Sequence, residues 1–116
     1  MNRKFAEKFA QHWVSSWNSH DLQRILSHYT DDFEMASPII RERLGIESGV
    51  LKGKTQVREY WKKGLEAFPN LHFKLVSVFI GSSSVIILYE GHKGMSCECF
   101  KFNEASLVYE ASAHYE

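Results

Sequence analysis

The sequence predicts an α+β fold: a cone-shaped, curved antiparallel or mixed β-sheet wrapped around a pocket by three α-helices from the N-terminal half of the chain. Two observations carry this expectation. Apolar residues recur at helical spacing up to Phe68, and after Pro69 they give way to runs rich in β-branched and aromatic residues, separated by turn-forming clusters. A third observation fixes the scale. Nothing in the composition divides the 116 residues, so the chain reads as one domain, 1–116, with a single core.

The first helix is expected from Asn2 to Trp17, where Phe5, Phe9, Trp13 and Trp17 recur every fourth residue and Ala6, Ala10 and Val14 widen the stripe. Asn18-Ser19-His20-Asp21 breaks it, and Asp21 caps a second helix carrying Leu22, Ile25, Leu26 and Tyr29. Thr30-Asp31-Asp32 reads as a turn before a short strand, Phe33 to Ser37, that ends at Pro38. Ile39 to Gly53 has no clear period and contains Gly45, Gly49 and Gly53, so a long loop over the pocket mouth is expected. A third helix starts at Lys54-Thr55, presents Val57, Tyr60, Trp61, Gly64 and Leu65 on one side, and ends at Phe68-Pro69-Asn70. Four strands follow: Leu71 to Ile80, Val85 to Gly91, Met95 to Phe102 and Leu107 to Tyr115.

Composition narrows the function classes. Fourteen basic residues balance fourteen acidic ones without a charged run, which argues against a nucleic-acid partner. The segment Met1 to Lys8 is charged and amphipathic, and nowhere do about eighteen apolar residues run together. A cytoplasmic protein with no membrane partner is therefore expected. Cys97 and Cys99 stand two apart in one strand, so both point the same way, a disulfide between them is awkward, and they read as apolar filler.

The order of motifs resembles the SnoaL-like branch of the nuclear transport factor 2-like superfamily. The resemblance is carried by Trp17-Asn18-Ser19-His20-Asp21-Leu22, Tyr29-Thr30-Asp31-Asp32-Phe33, Ser37-Pro38, Gly53-Lys54, Tyr60-Trp61 and Ala113-His114-Tyr115. It runs over nearly the whole chain and implies a cone-shaped pocket and dimerisation through the outer face of the sheet. The superfamily hosts isomerases, cyclases, hydrolases and non-catalytic members, so fold alone does not give a function. Ketosteroid isomerase, a relative, uses a tyrosine, a carboxylate base and a protonated acid. Laid on this chain, that pattern falls on Trp13, Ser37 and Glu98, so two of its groups are missing and that mechanism is not expected.

A hairpin centred on His92-Lys93 pairs Ile87 with Glu98 and Tyr89 with Ser96, putting Val85, Ile87, Tyr89, Glu98, Phe100 and Phe102 on one face. That aromatic face is expected to meet the helices. The opposite face carries Ile86, Leu88, Cys97 and Cys99, too apolar for bare solvent, and suggests a homodimer. On the last strand, alternation groups Val108, Glu110, Ser112 and His114, and the resemblance turns that face inward.

Glu98 and His114 are then the candidate catalytic acid/base pair. Trp13, Trp17, Ser37, Tyr60, Trp61, Tyr89, Phe100, Glu110 and Ser112 are the candidate pocket residues for a small hydrophobic or aromatic ligand. No cofactor is expected, and His114, Glu98 and Glu110 are too weak a set for a metal. Two readings follow: a cofactor-free isomerase, cyclase or hydrolase acting on a carbonyl-bearing substrate, or a ligand-binding or dimerisation module without turnover.

Overall fold

The computed structural model describes residues 1–116. Four helices and six strands follow in the order α1 (Arg3–Ser19), α2 (Leu22–Leu26), β1 (Tyr29–Ala36), α3 (Pro38–Leu44), β2 (Val50–Lys52), α4 (Lys54–Ala67), β3 (Lys74–Ile80), β4 (Ser84–Gly91), β5 (Gly94–Phe102) and β6 (Val108–Tyr115). The strands form one open sheet in the order β2-β1-β6-β5-β4-β3. Only β1 and β6 run parallel. The mixed sheet and the α+β class agree with the expectation.

The aromatic stripe of α1 explains its place. Phe9, Trp13 and Trp17 are buried against the sheet, with Phe9 edge-on to Phe100 and Phe102 and Trp13 edge-on to Phe100 and Tyr89. Asn2 starts the helix by accepting the Phe5 N–H at 2.8 Å, and His20 ends it in the left-handed region at φ 60°. Asn18 then clamps the helix to the chain entering β3. It donates to the Phe73 carbonyl at 3.0 Å and accepts the Phe73 N–H at 2.7 Å.

Three expectations need correction here. The helix capped by Asp21 ends at Leu26, and Tyr29 opens β1 instead, because its side chain is buried against Phe33 and Trp61. The expected loop from Ile39 to Gly53 contains a helix and a strand. Ser37 caps α3 by accepting the Ile39 N–H, Pro38 occupies the first turn, and Gly45 closes it at φ 68°. Four helices rather than three thus cover the sheet.

The β4–β5 register matches the expected one, with Ile87 opposite Glu98 and Tyr89 opposite Ser96. The β6 register does not follow simple alternation. Lys101 pairs with Glu110 while Phe102 pairs with Val108, so Tyr109 is an extra residue, a β-bulge. Beyond it the inward set becomes Ala111, Ala113 and Tyr115, and Glu110, Ser112 and His114 turn to the outer face. No helix is long and apolar enough to cross a membrane.

Candidate functional site

A cavity of about 130 Å³ lies between the inner face of the sheet and helices α1, α3 and α4. Trp13 and Trp17 reach it from α1, Tyr60 and Trp61 from α4, Phe73 from the approach to β3, and Tyr89 from β4. These rings hold one another: Trp17 meets Trp61 edge-on with centroids 5.0 Å apart, and Phe73 lies 4.7 Å from Tyr89. Such edge-to-face and offset contacts make a rigid apolar wall.

Glu98 is the one acidic side chain in that wall, and it is only 4% exposed. The Tyr89 hydroxyl donates to its Oε1 at 3.2 Å. Burial pushes the Glu98 carboxyl up to about 8, and the Tyr89 hydrogen bond opposes the rise without cancelling it. The effect is reciprocal: burial, and then the nearby Glu98 charge, hold the Tyr89 hydroxyl well above its ordinary range. Tyr29, deeper still, is raised by the same two causes, and its hydroxyl accepts the Trp13 Nε1–H at 3.0 Å. Tyr115 at the end of β6 is likewise raised by burial and by Glu98.

The mouth is built from parts of three elements. Phe68, just after α4, lies between the Arg43 guanidinium of α3, 5.2 Å from its ring centre, and the His92 ring, 3.9 Å away on the β4–β5 turn. Lys93 on that turn faces Glu42 of α3 at 3.6 Å. The turn and α3 therefore meet across the opening.

Of the expected pocket residues, Trp13, Trp17, Ser37, Tyr60, Trp61 and Tyr89 line the cavity together with Glu98. Phe100 does point inward, but it sits below the cavity floor, packed against Phe9 and Trp13. Glu110, Ser112 and His114 are on the other side of the sheet. His114 is exposed and stands opposite Cys97, whereas Glu98 pairs with Ala113. The expected Glu98–His114 pair therefore does not form, and the cause is the Tyr109 bulge, which shifts the face of every later residue in β6. The same separation rules out Glu98, His114 and Glu110 meeting at one point.

Ser96, Tyr115, Arg43, Phe68, His92 and Met35 also line the cavity and were not expected there. A signal existed for some of them. Ser96 follows from its pairing with Tyr89, and Arg43 follows once Ser37-Pro38 and Gly45 are read as the start and stop of a helix. Tyr115 needed the bulge, which no residue in Val108 to Glu110 announces.

The profile of the SnoaL-like domain family matches residues 10–112. A SnoaL-like protein of unknown function from Burkholderia thailandensis is 45% identical, with a TM-score of 0.97 over 99% of this chain and 97% of that one. More distant structures share the fold. A putative isomerase of the SnoaL-like family from Agrobacterium tumefaciens is 12% identical, with a TM-score of 0.73 over 93% and 94% of the two chains. AclR, a putative hydroxylase from Streptomyces galilaeus, is 17% identical, with a TM-score of 0.75 over 99% of this chain and 77% of that one. No curated protein matches the chain.

Proposed function

Because the chain belongs to the SnoaL-like family, we propose that its cavity binds a small hydrophobic or aromatic carbonyl compound and that Glu98, oriented by Tyr89, moves a proton on it without a cofactor. The observation that carries this reading is a carboxyl group buried among aromatic rings with its proton affinity raised to about 8. A group that titrates near neutrality can both accept and return a proton.

The step balances simply. The Glu98 carboxylate takes a proton from the carbon next to a carbonyl, the C–H electron pair passes into the enolate, and the new carboxylic acid returns the proton to the same carbon or, where a double bond is conjugated with the enolate, to the far end of that double bond. Return to the same carbon gives α-proton exchange and return to the other carbon gives an isomer, in both cases with no oxidant or group donor. The aromatic wall excludes water, which strengthens electrostatic interactions around the enolate. At pH 7 about a tenth of the groups would be in the base form, so the rate should climb with pH through about 8 and then level.

The test is exchange of α-protons for deuterium in a panel of cyclic and aryl ketones, followed by NMR in D2O. Exchange by the wild-type chain should vanish in Glu98→Gln while ligand binding persists, and His114→Ala should exchange as the wild type does. If Glu98→Gln exchanges normally, the acid/base role is wrong.

A second reading, a dimerisation module without turnover, draws on the outer face of the sheet. Phe79 is 54% and Ile86 37% exposed there, beside the half-buried Leu88, Cys97 and Cys99. Dimerisation itself is compatible with proton transfer in the cavity, and we favour a homodimer joined through Ile86, Leu88, Cys97 and Cys99 with one cavity per protomer.

A further inference from the structure

Two polar atoms of the cavity-lining residues are buried without any partner in the protein: the indole Nε1 of Trp17 and the hydroxyl oxygen of Ser96. Trp17 is 8% exposed and Ser96 3%, so bulk water does not serve them. Buried polar groups are as a rule hydrogen-bonded, and one left alone is destabilising. The rest of this interior keeps that rule, since Trp13 Nε1 reaches Tyr29 and the Tyr89 hydroxyl reaches Glu98. Neither exception is loosely held. The Trp17 ring packs against Trp61 and Phe73, with centroids 5.0 and 5.5 Å away, and Ser96 is fixed in the β4–β5 ladder opposite Tyr89.

The two groups differ in chemistry. An indole N–H can only donate, whereas a hydroxyl both donates and accepts. Size adds a second constraint. The cavity measures about 130 Å³, a little below the roughly 150 Å³ apolar cavity that admits benzene. One flat ring is the scale of its enclosed part, and oxygen substituents on that ring are the groups that could satisfy the two polar atoms.

We propose that the cavity takes a compound with a single six-membered ring bearing two oxygen substituents, a carbonyl accepting from Trp17 Nε1–H and a hydroxyl or second carbonyl meeting the Ser96 hydroxyl. The proposal rests on the reading of the cavity as a ligand site, and it adds the substrate class and the two residues that select it. Glu98, two residues from Ser96 on the same strand face, is left beside the ring. A bare hydrocarbon ring leaves both polar atoms unpaired, and a fused polycyclic compound has to extend through the opening beside Phe68.

The test is equilibrium binding by the full chain, with 4-hydroxyacetophenone as probe and 4-isopropyltoluene, the same shape without oxygen, as control. Calorimetry gives the affinity, and the three tryptophan indole N–H signals in a proton–nitrogen spectrum report where the probe binds. The Trp17 signal is the one missing from Trp17→Phe. We expect the probe to move that signal downfield where the hydrocarbon does not. Trp17→Phe and Ser96→Ala should each weaken the probe relative to the hydrocarbon by about five- to tenfold, the worth of one hydrogen bond.

If Trp17→Phe fails to fold, Ser96→Ala and the wild-type indole signal decide the matter. Equal affinity for probe and hydrocarbon, an unmoved Trp17 signal, or equally tight binding of 6-hydroxy-2-acetylnaphthalene would overturn the proposal. Binding as expected without α-proton exchange supports it and defeats the acid/base role alone. Exchange that needs Glu98 but ignores both substitutions defeats this proposal alone.

Discussion

Glu98 shapes the stability of the protein as well as its chemistry. Its carboxyl is held at about 8 in the folded chain against an ordinary value of 4.5. Between those limits the folded state keeps a proton that the unfolded chain has released, so stability falls as pH rises. The contribution is complete below about pH 4.5 and gone above about pH 8. Glutamine has the same shape and no charge, so Glu98→Gln should remove this slope. Urea denaturation at a series of pH values should find the variant near the wild type at pH 5 and more stable at pH 8.5, the gap growing by up to about 1.4 kcal/mol per pH unit between. His28 acts in the opposite sense, since burial lowers its pKa, which is why the difference between the two proteins is the quantity to follow. Parallel profiles would mean that Glu98 titrates as an ordinary carboxylate. Its direction and its neighbour Tyr89 were legible from sequence, because a two-residue turn at His92-Lys93 fixes the register of both strands. Its proton affinity was legible only in sign, since depth of burial is set by residues far away in the chain.

At the scale of elements, the cavity depends on α1 being held at both ends of its aromatic stripe. The C-terminal hold is Asn18, whose two hydrogen bonds to the Phe73 backbone tie the helix to the start of β3 across 55 positions of sequence. Asn18→Ala leaves a donor and an acceptor of that backbone unpaired, so it should lower unfolding free energy by about 2–3 kcal/mol in urea. A loss below about 0.5 kcal/mol would show that water replaces the clamp. Elements with strong periodicity or caps, α1, α4 and the β4–β5 hairpin, were readable in advance, because local spacing and long-range packing agree there. Two were not. The helix α3 is one short turn pair whose burial is limited to Ile40, so it lacks the apolar stripe that marks a helix, and only its caps betray it. The β6 strand alternates apolar and polar residues well enough to suggest an unbroken face, yet Tyr109 interrupts it. A bulge is chosen by which face its partners can bury. Ala111 and Ala113 fit beside Phe100 and Glu98, their register partners, where Glu110 and His114 would bring polar groups into the core.

For the whole molecule, the bulge has a second consequence: it finishes the outer face as well as the inner one. The register Phe79–Ile86–Cys99–Ser112–Ala36 crosses β3, β4, β5, β6 and β1 in one row of apolar and small side chains. A second row, Ser77–Leu88–Cys97–His114, runs beside it, and the Lys101–Glu110 ion pair, at 3.4 Å, borders the first row on its other side. An apolar centre with a charged border is the anatomy of a protein interface. The molecule measures 36 × 27 × 26 Å, so its broad face can supply the roughly 800 Å² per partner that stable association needs. We therefore predict that light scattering finds twice the 13.5 kDa chain mass at micromolar concentration. Phe79→Glu and Ile86→Lys should each give a monomer, because a charge placed within a self-complementary apolar patch has to be buried against the second copy. Both positions lie behind the sheet, out of the cavity, so the monomers should still bind the ring-bearing probe. A wild-type monomer would remove the dimer and leave the cavity argument intact. Loss of probe binding in a folded monomer would instead mean that the sheet keeps its curvature, and the cavity its shape, only when a second copy backs it.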